Sequence, residues 1–138
     1  MIRFKRLPED IMQRVEGLKD FLEKKPEVIF AYLFGGLTKE RPSFLSDVDI
    51  AVYVRDPKRF NYLKFYGEIT DFLGTDEVDI VVLNRAPISL TGRILQSKIL
   101  LIDKEPFLRH KFESLKIREF LDFQYLEKRY FKERYKIG

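Results

Sequence analysis

Apolar residues recur along the chain with two periods, and the switches between them mark out the elements. Ile11, Val15, Leu18, Phe21 and Leu22 keep a helical spacing behind Pro8. This predicts a helix from Pro8 to about Lys25, stopped by Pro26. Val28 to Phe34 is an unbroken apolar run, the pattern of a buried strand. A loop containing Pro42 follows, and Asp47 to Val54 then alternates as a second strand. Asp56-Pro57 reads as a turn or helix start, and residues 58–74 as a helix stopped at Gly74. A third strand is expected over Glu77 to Asn84, a short helix over Pro87 to Gln96 and a fourth strand over Ser97 to Asp103. Pro106 to about Tyr135 holds no internal Gly or Pro and reads as one helix.

This order predicts an α/β (α+β) domain, a small mixed sheet flanked by helices and covered mainly on one face. Residues 1–138 are expected to form a single domain, with a core over about 8–103 and a C-terminal helix over about 106–135. The first two strands are joined by too long a segment for a tight hairpin, and loops of that length tend to be functional.

Charge breaks the pattern in two places. Asp47 and Asp49 share one face of the second strand with Ala51 and Tyr53, while Val48, Ile50, Val52 and Val54 share the other. The two carboxylates point the same way, roughly 7 Å apart along the strand. Asp79 repeats the oddity in the third strand, between Val78 and Ile80. An Asp in so apolar a strand is costly unless paired or bound to a cation. If the two strands are neighbours, three carboxylates converge, and a divalent cation with a polyphosphate removes their repulsion. For one Asp alone, capping a nearby backbone group would suffice as an explanation.

Composition narrows the chemistry. With no cysteine, disulfides and thiolate metal sites are excluded, and His110 alone cannot make a multi-histidine site. Any metal is therefore a hard cation on carboxylates. No apolar stretch approaches the roughly 20 residues that span a bilayer, and the N-terminus lacks a signal-peptide core. A soluble, cytoplasmic protein with no membrane partner is expected. The net charge of +4 is uneven, with ten Lys or Arg against six acids from Lys104 onward. That excess suits an acidic partner or nucleic acid, or is simply a solvated helix face.

Gly35 and Gly36 end the first strand, and glycines there permit positive φ and close approach of backbone N–H groups to phosphate. Gly35-Gly36, ten residues ending in Ser46, then Asp47-Val48-Asp49 resembles the minimal nucleotidyltransferases of the DNA polymerase β-type superfamily. That family carries Gly-Ser, a spacer and Asp-x-Asp, then a third acid on a later strand. The likeness spans roughly Val28 to Asp103 and implies the nucleotidyltransferase fold. It implies transfer of a nucleoside monophosphate, AMP from ATP or another NTP, to a hydroxyl. By the resemblance, Asp47 and Asp49 would hold Mg²⁺, in two ions, and Asp79 would share a metal or act as base. Gly35, Gly36, Ser46 and Lys39, with Arg41, would meet the triphosphate. The family's Ser is Gly36 here, so a hydroxyl contact worth roughly 1.5–3 kcal/mol is missing.

Many such proteins resemble the antitoxin of a pair whose toxin is a HEPN ribonuclease, which implies adenylylation of a toxin tyrosine. A second reading is a catalytically silent protein that neutralises a toxin by contact. A third, carried only by the basic tail, is a transferase on RNA ends. The C-terminal helix would be about 45 Å long. Its Leu108, Phe112 and Leu115 are expected to cover the sheet. Phe120, Phe123 and Tyr130 are expected either to meet a partner, a second copy included, or to complete the core.

Overall fold

The computed structural model describes residues 7–38 and 47–135. Helix α1 (Ile11–Glu23) shares one core cluster with strand β1 (Val28–Phe34), and Ile11, Val15, Leu18 and Leu22 are buried in it. It starts three residues after Pro8, whose carbonyl accepts the Ile11 N–H at 3.1 Å in a preceding turn. Phe21 is only partly buried and pairs with Phe72 of the next helix. Strand β2 (Val48–Val54) follows a 3₁₀ turn at Gly35–Thr38 and the segment 39–46, so Asp47 stands just before the strand.

Helix α2 (Tyr62–Leu73) begins four residues later than the apolar pattern suggests. Asn61 is its N-cap and accepts the Lys64 N–H at 3.1 Å, while Asp56 holds the turn before it by accepting from Lys58. Gly74, at φ 70°, stops α2, and Arg14 donates to the Leu73 carbonyl at 2.8 Å. Strand β3 (Val78–Val82) is shorter than expected because a 3₁₀ turn takes Leu83–Arg85. The Asn84 amide there holds both backbone groups of Val54, at 2.9 Å each. Helix α3 (Ile88–Ser97), strand β4 (Ile99–Asp103) and helix α4 (Pro106–Tyr135) complete the chain.

The sheet order is β3-β2-β1-β4, with β2 and β3 parallel and the other pairs antiparallel. Both faces are covered, which corrects the expectation of cover mainly on one. On one face Val48, Ile50, Val52, Val54, Val78, Ile80 and Val82 meet α1 and α2. On the other, Phe30, Tyr32, Ala51 and Leu83 meet Ile94 and Leu95 of α3 and Phe112 of α4. The aromatic residues of β1 make this second face too apolar to leave in water.

Two contacts set the course of α4. Tyr32 donates to Glu113 at 2.6 Å, and Arg109 bridges Glu113 and Asp103 at 3.0 and 2.7 Å. Lys98, at the end of α3, lies 3.7 Å from Glu113, and Phe120 sits on Gly92, so α4 runs antiparallel to α3. A Cβ at Gly92 would lie 2.1 Å from the Phe120 ring, so only glycine allows this approach. Phe120 is therefore buried and belongs to the core, and Leu115, expected on the sheet, is exposed. Leu121, Tyr125, Leu126 and Tyr130 are exposed where α4 overruns α3. Among the described residues no helix is long and apolar enough to cross a membrane.

Candidate active site

The β2–β3 register builds the site. Asp49 and Asp79 are direct partners in the parallel pair, so their side chains leave the sheet side by side on one face. Asp47, two residues before Asp49, takes the same side. One carboxylate oxygen from each of Asp47, Asp49 and Asp79 lies within 4.8 Å of the other two. Asp47 and Asp49 are half-buried and Asp79 is exposed, so the cluster opens towards the outer edge of β3. Octahedral Mg²⁺, with ligands at about 2.1 Å, spaces neighbouring oxygens about 3 Å apart, and small side-chain rotations bring this set into that range. Three hard oxygens with no nitrogen or sulfur among them suit Mg²⁺, Mn²⁺ or Ca²⁺.

Gly35 lies against this cluster. Its φ is 77°, and a Cβ there would stand 2.1 Å from Asp49 Oδ2. The backbone turn thus reaches the carboxylate only because the side chain is missing. Thr38 closes the turn by donating to the Gly35 carbonyl at 2.6 Å. Gly36 is the second residue of the same turn. A left-handed residue followed by right-handed ones turns successive N–H groups to one side, a shape that accepts anions. Lys39, Arg41 and Ser46 lie outside the described residues.

Two site neighbours were not singled out from the sequence. Tyr62 and Tyr66 of α2 donate to the carbonyls of Ile80 and Asp76, at 3.1 and 3.0 Å, along the edge at β3. Burial, and then the charge of Asp79, push the Tyr62 phenol above its ordinary value, so it stays neutral. The only signal in the sequence was their spacing, one helical turn apart on the helix that leads into β3.

Three acids converging from neighbouring strands beside a glycine turn form a cluster that could hold a divalent cation next to a phosphate. The family model described as Polymerase beta, Nucleotidyltransferase matches residues 16–107. The chain belongs to this nucleotidyltransferase family. No curated protein sequence matches it. Among solved structures it resembles the toxin–antitoxin pair MntA–HepT at 20% identity and TM-score 0.65, over 88% of this chain and 97% of that one. It resembles equally the complex of a tri-AMPylated Shewanella oneidensis HEPN toxin with MNT antitoxin, at 19% identity and TM-score 0.67, over 89% and 97%. A third likeness is a toxin–antitoxin structure with AMP-PNP, at 21% identity and TM-score 0.64, over 87% and 96%. At these identities the likeness is one of fold, and it extends over nearly the whole of each neighbour.

Proposed function

We propose that the protein is a divalent-metal-dependent nucleotidyltransferase that moves AMP from ATP to a hydroxyl of a HEPN-type protein, a tyrosine in the favoured case, and thereby acts as its antitoxin. The observation that carries this reading is the convergence of Asp47, Asp49 and Asp79 within 4.8 Å beside positive-φ Gly35. The structures that share the fold support the choice of partner and nucleotide, since they include complexes with HEPN toxins and one with AMP-PNP.

In this reading Gly35 and Gly36 turn their N–H groups to the triphosphate, and Ser46 and Lys39 add contacts to it. Asp47, Asp49 and Asp79 would hold the cations, Mg²⁺ in two ions. Bound there, the metal would supply positive charge to the phosphates and lower the cost of the entering and leaving oxygens. Asp79, the exposed member, meets the incoming hydroxyl and takes its proton. The hydroxyl oxygen forms the new bond to the α-phosphorus as the bond to pyrophosphate breaks. A second reading, a silent antitoxin that works by contact, is favoured by one observation, the missing hydroxyl at Gly36.

Incubation with α-labelled ATP, Mg²⁺ and the product of the neighbouring gene separates the two. Label on the partner that disappears with EDTA supports transfer. A tight complex with no label supports the silent antitoxin.

A further inference from the structure

We infer that the outer flank of α4 binds a single-stranded nucleic acid, holding phosphates with Lys111, Arg118, Lys128 and Lys132 and stacking bases on Phe107 and Tyr125. This is a second binding function of the chain, and it stands apart from the transfer reading above.

Helix geometry draws the flank. Phe107, Lys111, Ser114, Arg118, Leu121, Tyr125, Lys128 and Lys132 follow one another by alternating steps of four and three residues. That spacing lays them in one line down a helix. Phe112, Phe120 and the half-buried Arg109, Glu113 and Lys116 take the opposite flank, towards the sheet and α3. All eight residues of the line are exposed. From first to last they span about 38 Å.

Charge sets this flank apart. Three cations of α4 are matched by an acid one turn away: Arg109 by Glu113, Lys116 by Glu119 and Arg129 by Glu133. Among the described residues, Lys111, Arg118, Lys128 and Lys132 enter no such bridge. Asp122 and Glu133 stand beside the line, and Glu133 is already taken by Arg129. Four cations along one side of a helix therefore leave a positive field, which draws a polyanion.

The pattern also selects the kind of polyanion. Where a helix meets another helix, a line with this spacing is the seam, and its positions are apolar. Here four of the eight are cations and one more is Ser114. A protein helix laid along the line would bury those charges unpaired, which is costly. A nucleic acid strand suits the opposite arrangement, with cations for its phosphates and free rings between them for its bases. Phe107 is 85% exposed and Tyr125 64% exposed. Two hollows on the flank repeat the pairing of ring and cation. Phe107 lines one with Lys111 and Arg118, and Tyr125 lines the other with Lys128 and Lys132. Free rings suit the splayed bases of a single strand, since those of a duplex are already stacked on one another.

The test is fluorescence anisotropy with the full chain, in the absence of ATP. The probes are a labelled RNA of about 12 nucleotides and mixed sequence, the same sequence as single-stranded DNA, its DNA duplex, and polyglutamate. Wild type is expected to bind the single strands, with the logarithm of affinity falling against that of salt at a slope of about −3, as for four phosphates neutralised on a single strand. Lys111→Gln with Arg118→Gln should about halve that slope. Lys128→Gln with Lys132→Gln should do the same, and these two lie where α4 overruns α3, clear of the core. Tyr125→Ala should weaken binding about tenfold and leave the slope unchanged. Melting temperatures should hold, since every substituted side chain is exposed. Tighter binding of RNA or of single-stranded DNA identifies the strand, and either result supports the inference. Failure of wild type to bind single strands, equal binding of polyglutamate, a preference for the duplex, or a slope still near −3 in both double variants overturns it. Transfer is read separately with ATP and stands or falls by its own result.

Discussion

Gly35→Ala puts one methyl group at the contact between turn and carboxylate, and its effects on fold and on chemistry should separate. The residue sits at φ 77°, where a Cβ costs roughly 1–2 kcal/mol. In a domain of this size that lowers the melting temperature by roughly 3–8 °C. The same methyl would stand 2.1 Å from Asp49 Oδ2 and 3.0 Å from its Cγ. The clash is with the end of a rotatable side chain, so the carboxylate swings aside by about 1 Å and the backbone stays. A misplacement of that size at a reacting centre costs about 100-fold in rate. Calorimetric melting, Mn²⁺ titration and label transfer from ATP therefore give a modest loss of stability beside a large loss of metal affinity and transfer. Gly36→Ala, one residue on, is the control. Among the described residues the positive-φ glycines are Gly35 and Gly74, so a methyl at Gly36 meets no such backbone penalty. Wild-type metal affinity and transfer in Gly35→Ala would refute the placement of the site against this turn. A melt lowered by tens of degrees would show instead that Gly35 supports the core.

Asp79→Asn removes a cation ligand and one of three clustered charges, so metal-dependent transfer is lost while the metal-free melt holds or rises; a lower melt argues against repulsion among the three. Gly36→Ser supplies a hydroxyl beside the proposed phosphate site, and isothermal titration should show tighter MgATP binding with an unchanged melt. Phe120→Ala opens a cavity over Gly92 and should cost roughly 3–5 kcal/mol by urea unfolding, whereas Tyr130→Ala, on the exposed part of α4, should cost almost nothing. Burial alone would raise the Glu113 carboxyl, but the hydroxyl of Tyr32, the guanidinium of Arg109 and the ammonium of Lys98 together hold it below the usual range. Its folded value is thus depressed, so its contribution to stability is present above the ordinary pKa of about 4.3 and is lost as pH falls through its own lower value. Acid unfolding curves of Glu113→Gln should lack that part of the pH dependence.

The sequence carried the elements where periodicity and punctuation agree. Val28–Phe34 and Pro106–Tyr135 appear with the bounds read from the apolar run and from the lack of Gly and Pro. Boundaries slipped where a side-chain cap outweighed the apolar pattern, as at Asn61, which delays α2 past Lys58 and Phe60. Pairing of β2 with β3 is not written in either strand alone, yet the position of Asp in each made their convergence readable once the strands were taken as neighbours. The second layer of helices was harder to see. It depends on Gly92, which looks like a weak point in a helix until Phe120, 28 positions on, is found resting on it. Tyr62 and Tyr66 were legible only as partners of the core, because the carbonyls they hold belong to backbone that gives no sign of itself in the sequence.

The arrangement also explains how a chain can tolerate three acids in and beside β2 and β3. Val48, Ile50, Val52 and Val54 of β2, with Val78, Ile80 and Val82 of β3, form an unbroken apolar face against α1 and α2. Burying a side chain of this type contributes roughly 1.5–3 kcal/mol, so these two strands are anchored whatever their opposite face carries. On that opposite face, α3 and α4 seal the part around Ala51, Tyr53 and Leu83 and leave the end at Asp49 and Asp79 open. Stability and chemistry thus occupy different sides of the same strands. On the proposed reading, substitutions at Asp47, Asp49 or Asp79 abolish transfer without disturbing the core. Loss of transfer in such a variant would therefore leave a folded protein with the same α4 and the same β3 edge, still able to be tested for binding its partner by contact.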